Sequence, residues 1–353
     1  MNKSKQAAKS VMIMVVFSLG SKLLGFIREM LIASKFGSGM ETDTYLVALT
    51  ATTLATSLIG TSLNTTLIPI LSEIESKEGK NSKIEHTNNI LNIIFLISVL
   101  LVAIGRSISP VIIKILANGF EGEQFDLAVQ LMRIGLPVII FSGIVNVFRG
   151  LLQSEMMFTE SAAANFPFNF TYIFFLLFLS SKLGIKGLMV TSVVAIASQI
   201  IIQIPGIKKT GYRHKWIFNL KDEYVKKILI LTIPTLIGVT IDEINIIVDR
   251  TLASNLIVGS ISALNFGNRL KSLILGIFIA AITTVIFPML ATESNSGNYD
   301  SLKKIMGYGI NIILLITIPA TVGLIILARP IVQIAFQRGA FDETATLMTS
   351  QAL

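Results

Sequence analysis

Gly187-Leu188-Met189-Val190-Thr191-Ser192-Val193-Val194-Ala195-Ile196-Ala197-Ser198-Gln199-Ile200-Ile201-Ile202-Gln203-Ile204-Pro205-Gly206-Ile207 contains no charged side chain. A bilayer core about 30 Å thick is crossed by a helix of roughly 20 apolar residues, so this stretch predicts a membrane span. Ser272 to Thr292 and Gly309 to Ala328 have the same character. Across all 353 residues the chain is 52% hydrophobic and 14% charged, with a mean hydropathy of +0.74. A soluble domain of that composition would expose large apolar patches. The fold class is an all-α polytopic membrane protein.

Apolar runs between polar breaks predict spans near 9–35, 43–71, 86–117, 124–152, 161–181, 186–206, 224–253, 259–290 and 302–328, and a tenth beginning near 342. Basic residues gather in alternate loops: Lys3, Lys5 and Lys9; Lys77, Lys80 and Lys83; and Lys208, Lys209, Arg213, Lys215, Lys221, Lys226 and Lys227. The intervening loops 118–124 and 255–260 lack Lys and Arg, so the positive-inside rule places the N-terminus in the cytoplasm. The net charge of +8 therefore reads as membrane topology, with no nucleic-acid partner. Cysteine is absent, which removes disulfides, thiolate metal sites and thiol nucleophiles.

An internal repeat links the two halves. Leu31-Ile32-Ala33-Ser34 and Thr65-Thr66-Leu67-Ile68-Pro69 recur as Thr251-Leu252-Ala253-Ser254 and Thr283-Thr284-Val285-Ile286-Phe287-Pro288, with the Ser-to-Pro spacing differing by one residue. Six spans separate the copies, an even number, so the halves are expected to be parallel repeats about an axis along the membrane normal, as in transporters. Residues 1–207 then form an N-terminal lobe of six spans, 208–227 a basic cytoplasmic linker, and 228–353 part of a C-terminal lobe. The sequence stops at Thr349 to Leu353 inside an apolar helical pattern, and the second lobe is expected to be incomplete.

Charges inside spans are costly and mark functional paths. In the first span, Ser21-Lys22-Leu23-Leu24-Gly25-Phe26-Ile27-Arg28-Glu29 builds one polar face. In the seventh, Asp242, Asn245 and Asp249 share a face, a donor set suited to a cation or a proton. The alternative is internal pairing of Asp249 or Glu243 with Arg250 or Arg269. In the eighth, Asn265, Asn268, Arg269 and Lys271 cluster. Arginine matches phosphate bidentately, so Arg28 and Arg269, one from each half, are candidates to clamp a diphosphate, against the alternative that each snorkels or pairs with an acid. Arg106, Arg133 and Arg149 read as snorkelling charges near span ends. Pro69, Pro137, Pro234, Pro288 and Pro319 are candidate kinks. His86 and His214 have no ligating neighbours in sequence, so no metal site is expected. Gly-rich phosphate loops and hydrolase motifs are missing, so the chain reads as a transporter and not an enzyme.

Several motifs in order resemble the MurJ (MviN) lipid II flippases of the MOP exporter superfamily: Ser21 to Glu29, Phe36-Gly37 through Asp43-Thr44-Tyr45-Leu46-Val47-Ala48, Val248-Asp249-Arg250, Gly259 to Asn265, Asn268-Arg269-Leu270 and Phe336-Gln337-Arg338-Gly339-Ala340-Phe341-Asp342. The resemblance implies a MATE-like fold of fourteen helices, two six-helix lobes around a cationic cavity, and a lipid groove. It implies transport of undecaprenyl-linked peptidoglycan precursor (lipid II) across the bacterial cytoplasmic membrane by alternating access, with membrane lipids around a monomer. It also implies substrate roles for Lys22, Arg28, Glu29, Asp43 and Arg269. Lys22 stands where relatives carry arginine, and residues 51–62 lack the charge that relatives carry in the second helix. Asp242 resembles the acid of a sodium site in some relatives, and with Asn245 and Asp249 on the same face, coupling to sodium or protons is the cofactor expectation. The competing readings are a related lipid-linked polysaccharide exporter, a multidrug extruder, a non-transporting membrane scaffold and, more weakly, an integral transferase.

Overall fold

The computed structural model describes residues 3–353, apart from the side chains of 3–16, 18, 58–59, 61–62, 242, 274–275, 277–281, 283–285 and 288. The side chains of Lys3, Lys5, Lys9, Asp242 and Pro288, expected to be topology, coupling-ion and kink residues, thus lie outside the described residues. Among the described residues, thirteen helices follow in order: α1 (Lys3–Phe36), α2 (Met40–Glu78), α3 (Lys80–Leu116), α4 (Gly122–Gly135), α5 (Val138–Ser154), α6 (Phe158–Ala163), α7 (Asn165–Phe178), α8 (Ser180–Thr210), α9 (Glu223–Ala253), α10 (Ser260–Ser296), α11 (Tyr299–Ile326), α12 (Ala328–Phe336) and α13 (Glu343–Ala352). Among the described residues, six segments are long and apolar enough to cross a bilayer: Lys80–Leu116, Gly122–Ser154, Phe158–Phe178, Ser180–Thr210, Glu223–Ala253 and Tyr299–Ile326.

Proline and glycine explain where these differ from the span pattern in the sequence. The fourth span is broken into α4 and α5 at Pro137, which lacks an N–H and stands at the N-cap of α5. Gly184, at φ +54°, kinks the start of α8, and Gly211, at φ +82°, ends it in the left-handed region that favours glycine. Asp222 begins α9 by accepting from the amides of Tyr224 at 2.8 Å and Val225 at 3.3 Å. The short α12 lies between the last predicted spans, where the sequence pattern showed no separate helix. The repeated motifs occupy corresponding places, at the ends of α1 and α9 and inside α2 and α10.

The chain divides into two compact units. The first comprises residues 1–31 and 39–261. Its core joins Leu63, Leu67, Ile70 and Ile74 of α2, Ile90 and Ile93 of α3, Val147 and Leu151 of α5, and Val225 and Ile228 of α9. A Cβ on Gly150 would stand 2.6 Å from Leu67 Cδ2, so α5 approaches α2 through glycine. At the opposite end, Gly119 N donates to Ser254 Oγ at 3.2 Å, and Thr251 Oγ1 donates to the Ile115 carbonyl at 2.9 Å, fastening the end of α9 to the end of α3.

One polar cluster in this unit is buried. Lys83 is fully withdrawn from solvent and lies 2.7 Å from both Glu75 and Glu155. Close by, His86 contacts Asp222 at 2.7 Å and Glu78 at 3.5 Å. The partners come from α2 and from residue 222, remote in sequence. Hydrogen bonds from Lys227 and Lys77 hold the Glu73 carboxyl down at about 2.

The second unit comprises residues 32–38 and 262–353. Phe266, Phe336 and Phe341 form its aromatic centre, with ring centroids 5.1 to 5.7 Å apart. Ala340 N donates to the Ser34 carbonyl at 2.8 Å, and the hydroxyls of Ser38 and Ser262 are 2.7 Å apart. Together these contacts tie the end of α1 to α10 and to the turn after α12.

Candidate functional site

Arg28 is the best-defined of the charged residues within the spans predicted from the sequence. Its side chain is 15% exposed and that of Glu29 8%, and one guanidinium nitrogen donates to Glu29 Oε1 at 2.7 Å. The other terminal nitrogen donates to Asn169 Oδ1 at 3.3 Å. The guanidinium carbon lies 5.3 Å from the Phe168 ring centre and 5.1 Å from that of Tyr172. Carboxylate, amide and two aromatic faces offset the cost of taking this cation out of water. Two of the fork's five N–H donors are used here, which leaves others for a further oxygen ligand.

The α7 sequence builds this cradle by helical spacing. Asn165, Asn169 and Tyr172 recur at i, i+4 and i+7, with Phe168 beside them. Asn169 is itself held, donating to the Asn165 carbonyl at 3.1 Å and the Ser21 carbonyl at 3.4 Å. Tyr172 and Tyr45 are both buried, their hydroxyls 3.3 Å apart, which brings α2 into the group. A Cβ on Gly25 would stand an ordinary 3.8 Å from Asn169 Oδ1, so α1 passes beside Asn169 without needing glycine there.

The remaining candidates occupy different surroundings. Lys22 is exposed on α1. Asp43 is buried at the head of α2 and accepts from Gly259 N at 2.7 Å; Gly259 has φ +95°. This carboxylate therefore holds the connection leading into α10. Arg269 belongs to the second unit and is exposed on α10. On α9, Asn245 and Asp249 are exposed, while the Asp242 side chain lies outside the described residues.

Glu243, partly buried, accepts a hydrogen bond from Ser57 of α2. Arg250 donates to the Ile261 carbonyl at 3.1 Å. Arg149, expected to snorkel, is turned into the first unit, donating to Gln199 at 3.3 Å, and its Nε has no partner there. Arg133 donates from Nε to Ser109 Oγ at 2.8 Å. Among the described residues, no group of three or more His, Cys, Asp or Glu is placed to hold a metal ion.

The sequence reading had missed Asn169, Phe168, Tyr172 and Tyr45 as partners of Arg28. Their signal is the Asn-rich aromatic run Asn165-Phe166-Pro167-Phe168-Asn169-Phe170-Thr171-Tyr172, which has two amides inside a span. Amides in an apolar helix need partners, and an arginine elsewhere supplies one.

The family described as "Lipid II flippase MurJ" matches residues 32–353. The probable lipid II flippase MurJ of Buchnera aphidicola is 29% identical over 343 residues, covering 96% of this chain and 67% of that protein. That of Vibrio cholerae is 29% identical over 364 residues, covering 99% and 69%. A solved structure described as lipid II flippase MurJ in an inward closed conformation matches with a TM-score of 0.81 at 27% identity, over 96% of this chain and 70% of that one. An inward-facing multidrug MATE transporter of the MOP superfamily shares the fold at a TM-score of 0.72 and 15% identity. Since the family match covers residues 32–353, from near the end of α1 onward, and both relatives and structure agree with it, this chain belongs to the lipid II flippase MurJ family.

Proposed function

We propose that this multi-pass membrane protein moves lipid II across the bacterial cytoplasmic membrane by alternating access, acting as a monomer with its N-terminus in the cytoplasm. The carrying observation is the Arg28 fork, held inside an apolar span by Glu29 and Asn169 with donors to spare. A diphosphate linked to a lipid needs such a group, because its charge must leave bulk water while its tail remains in the bilayer. Lys22 supplies a second positive charge on the same helix. Glu29 and Asn169 orient Arg28. No bond to the substrate is made or broken in this reading, so differential affinity between the two access states does the work.

The functional test is rescue of a bacterial strain depleted of its own lipid II flippase, with lipid II exposure on the outer leaflet measured directly. Growth together with restored exposure supports the reading. Growth without lipid II exposure points to another lipid-linked substrate. Failure of the membrane-inserted protein in both assays overturns it.

A further inference from the structure

The segment between α8 and α9 has no secondary structure of its own, yet its main chain is firmly held. Three asparagines on α3 do this. Asn88 donates to the Arg213 carbonyl at 3.0 Å and accepts from Lys215 N at 3.0 Å. Asn92 donates to the carbonyls of Lys215 at 3.0 Å and Ile217 at 2.9 Å. Asn89 donates to the Asn219 carbonyl at 3.0 Å and accepts from its amide at 2.7 Å. All three asparagines are buried.

With its main chain turned to α3, the segment presents side chains outward. Trp216 is 78% exposed, Phe218 54% and Leu220 58%. From residue 208 to 221 there are five basic residues, Lys208, Lys209, Arg213, Lys215 and Lys221, and no acid. All five are exposed. The nearest acids make only long contacts: Glu160 is 3.7 Å from Lys209 and Glu85 is 3.7 Å from Lys215. Exposed pairs of that kind contribute little, so these lysines can exchange them for a phosphate.

Phe95 fixes the depth of the segment along α3. Its ring lies edge-on to Trp216 at 6.4 Å. The following α3 residues Leu96 and Leu100 are more than half exposed, where the helix presents apolar surface to lipid. Trp216 therefore stands at the level where the polar turns of α3 give way to lipid-facing ones, the headgroup level that tryptophan favours. We infer that residues 208–221 form a docking surface for anionic phospholipid headgroups, with Trp216 at the headgroup–acyl boundary and Lys208, Lys209, Arg213 and Lys215 on the phosphates. The inference does not depend on the transported substrate.

Trp216 is the only tryptophan in the chain, so its fluorescence reports on this surface alone. The full chain is placed in phosphatidylcholine vesicles carrying a fixed minor fraction of either phosphatidylglycerol or phosphatidylcholine with brominated acyl chains, which quench on contact. Brominated phosphatidylglycerol should quench Trp216 more strongly than brominated phosphatidylcholine, and added salt should narrow the difference. In the K208Q/K209Q/R213Q/K215Q variant the quenching ratio should fall to near one, with elution and helicity unchanged. The K208Q/K209Q variant, altered only at the end of α8, should lie between. Equal quenching by both lipids in the wild type, quenching by neither, or a preference that survives all four substitutions would overturn the proposal.

Discussion

The ammonium of Lys83 lies 2.7 Å from the carboxylate of Glu155, seventy-two residues away, with the Lys83 side chain wholly withdrawn from solvent. Glu75 completes the group at 2.7 Å from the same nitrogen, so one buried cation joins α2, α3 and the end of α5.

Removing that cation leaves two acids without their partner. Lys83→Met is therefore expected to destabilise the protein by about 3 kcal/mol, the low end for a broken buried pair, because both acids retain some water. Glu155, at 19% exposure, should matter more than Glu75, at 39%. Thermal unfolding in detergent should thus rank Lys83→Met below Glu155→Gln and Glu155→Gln below Glu75→Gln. The reverse order for the two acids would contradict this account.

For transport, Arg28→Lys is expected to abolish rescue of a flippase-depleted strain although charge is kept. Lysine offers a point charge without the planar fork that meets Glu29 and Asn169 together. Asn169→Ala should reduce rescue less, since Glu29 still holds Arg28. Asn169→Asp should be intermediate or tolerated, because an acceptor for the guanidinium remains. Membrane levels measured by immunoblot separate these effects from loss of protein. Full activity of Arg28→Lys would show that the fork is not used.

The polar grip on the segment after α8 should be measurable as local opening. Each lost hydrogen bond costs roughly 1 kcal/mol, and alanine at Asn88 or Asn92 also strands main-chain groups of Arg213, Lys215 or Ile217. Trypsin should cleave after Arg213 and Lys215 much faster in Asn92→Ala than in wild type, before global unfolding. Unchanged cleavage would mean that the segment is held by other contacts.

These cases show what was legible in the sequence and what was not. The span pattern was plain because a charge-free run such as 187–207 has few alternatives. Arg28 stood out because a charge inside a span is costly, and the structure supplies its cradle. Its partners were not legible, since Asn169 and Tyr172 lie more than 140 residues away and only packing brings α7 to α1. The contact of His86 with Asp222 was hidden for the same reason: Asp222 is remote in sequence but next to it in space. The bond that Asp43 accepts from the Gly259 amide was not legible either, since it depends on the turn at φ +95° more than two hundred residues away.

Acid should weaken the junction of α2 and α9. Glu73 receives hydrogen bonds from Lys227 and Lys77 and is held down at about 2, from an ordinary value of 4.5. A carboxyl depressed in the folded state contributes stability that is present above the ordinary value and lost as pH falls toward the depressed one. The contribution of Glu73 should therefore be complete at neutral pH and decline between pH 4.5 and about 2. Lys227→Met should flatten that limb of the unfolding profile in detergent. Identical pH profiles for variant and wild type would remove Glu73 from the explanation.

Coupling to an ion is the remaining prediction, and it concerns Asp242, Asn245 and Asp249 of α9. Three oxygen-bearing side chains in one membrane-crossing helix are costly unless a cation, a proton or water meets them. Asn245 and Asp249 are exposed, so such an ion would complete its shell with groups other than these. A ligand that binds the folded state raises its stability by mass action, and that rise is readable without transport. Replacing choline by sodium at fixed ionic strength should therefore raise the thermal midpoint of the wild type, and Asp242→Asn should remove most of the increase. If sodium has no effect but lowering pH stabilises the wild type more than Asp242→Asn, the coupling ion is a proton. Indistinguishable responses of wild type and variant to sodium, potassium and pH would dismiss the coupling role and leave these residues as a solvated face of α9.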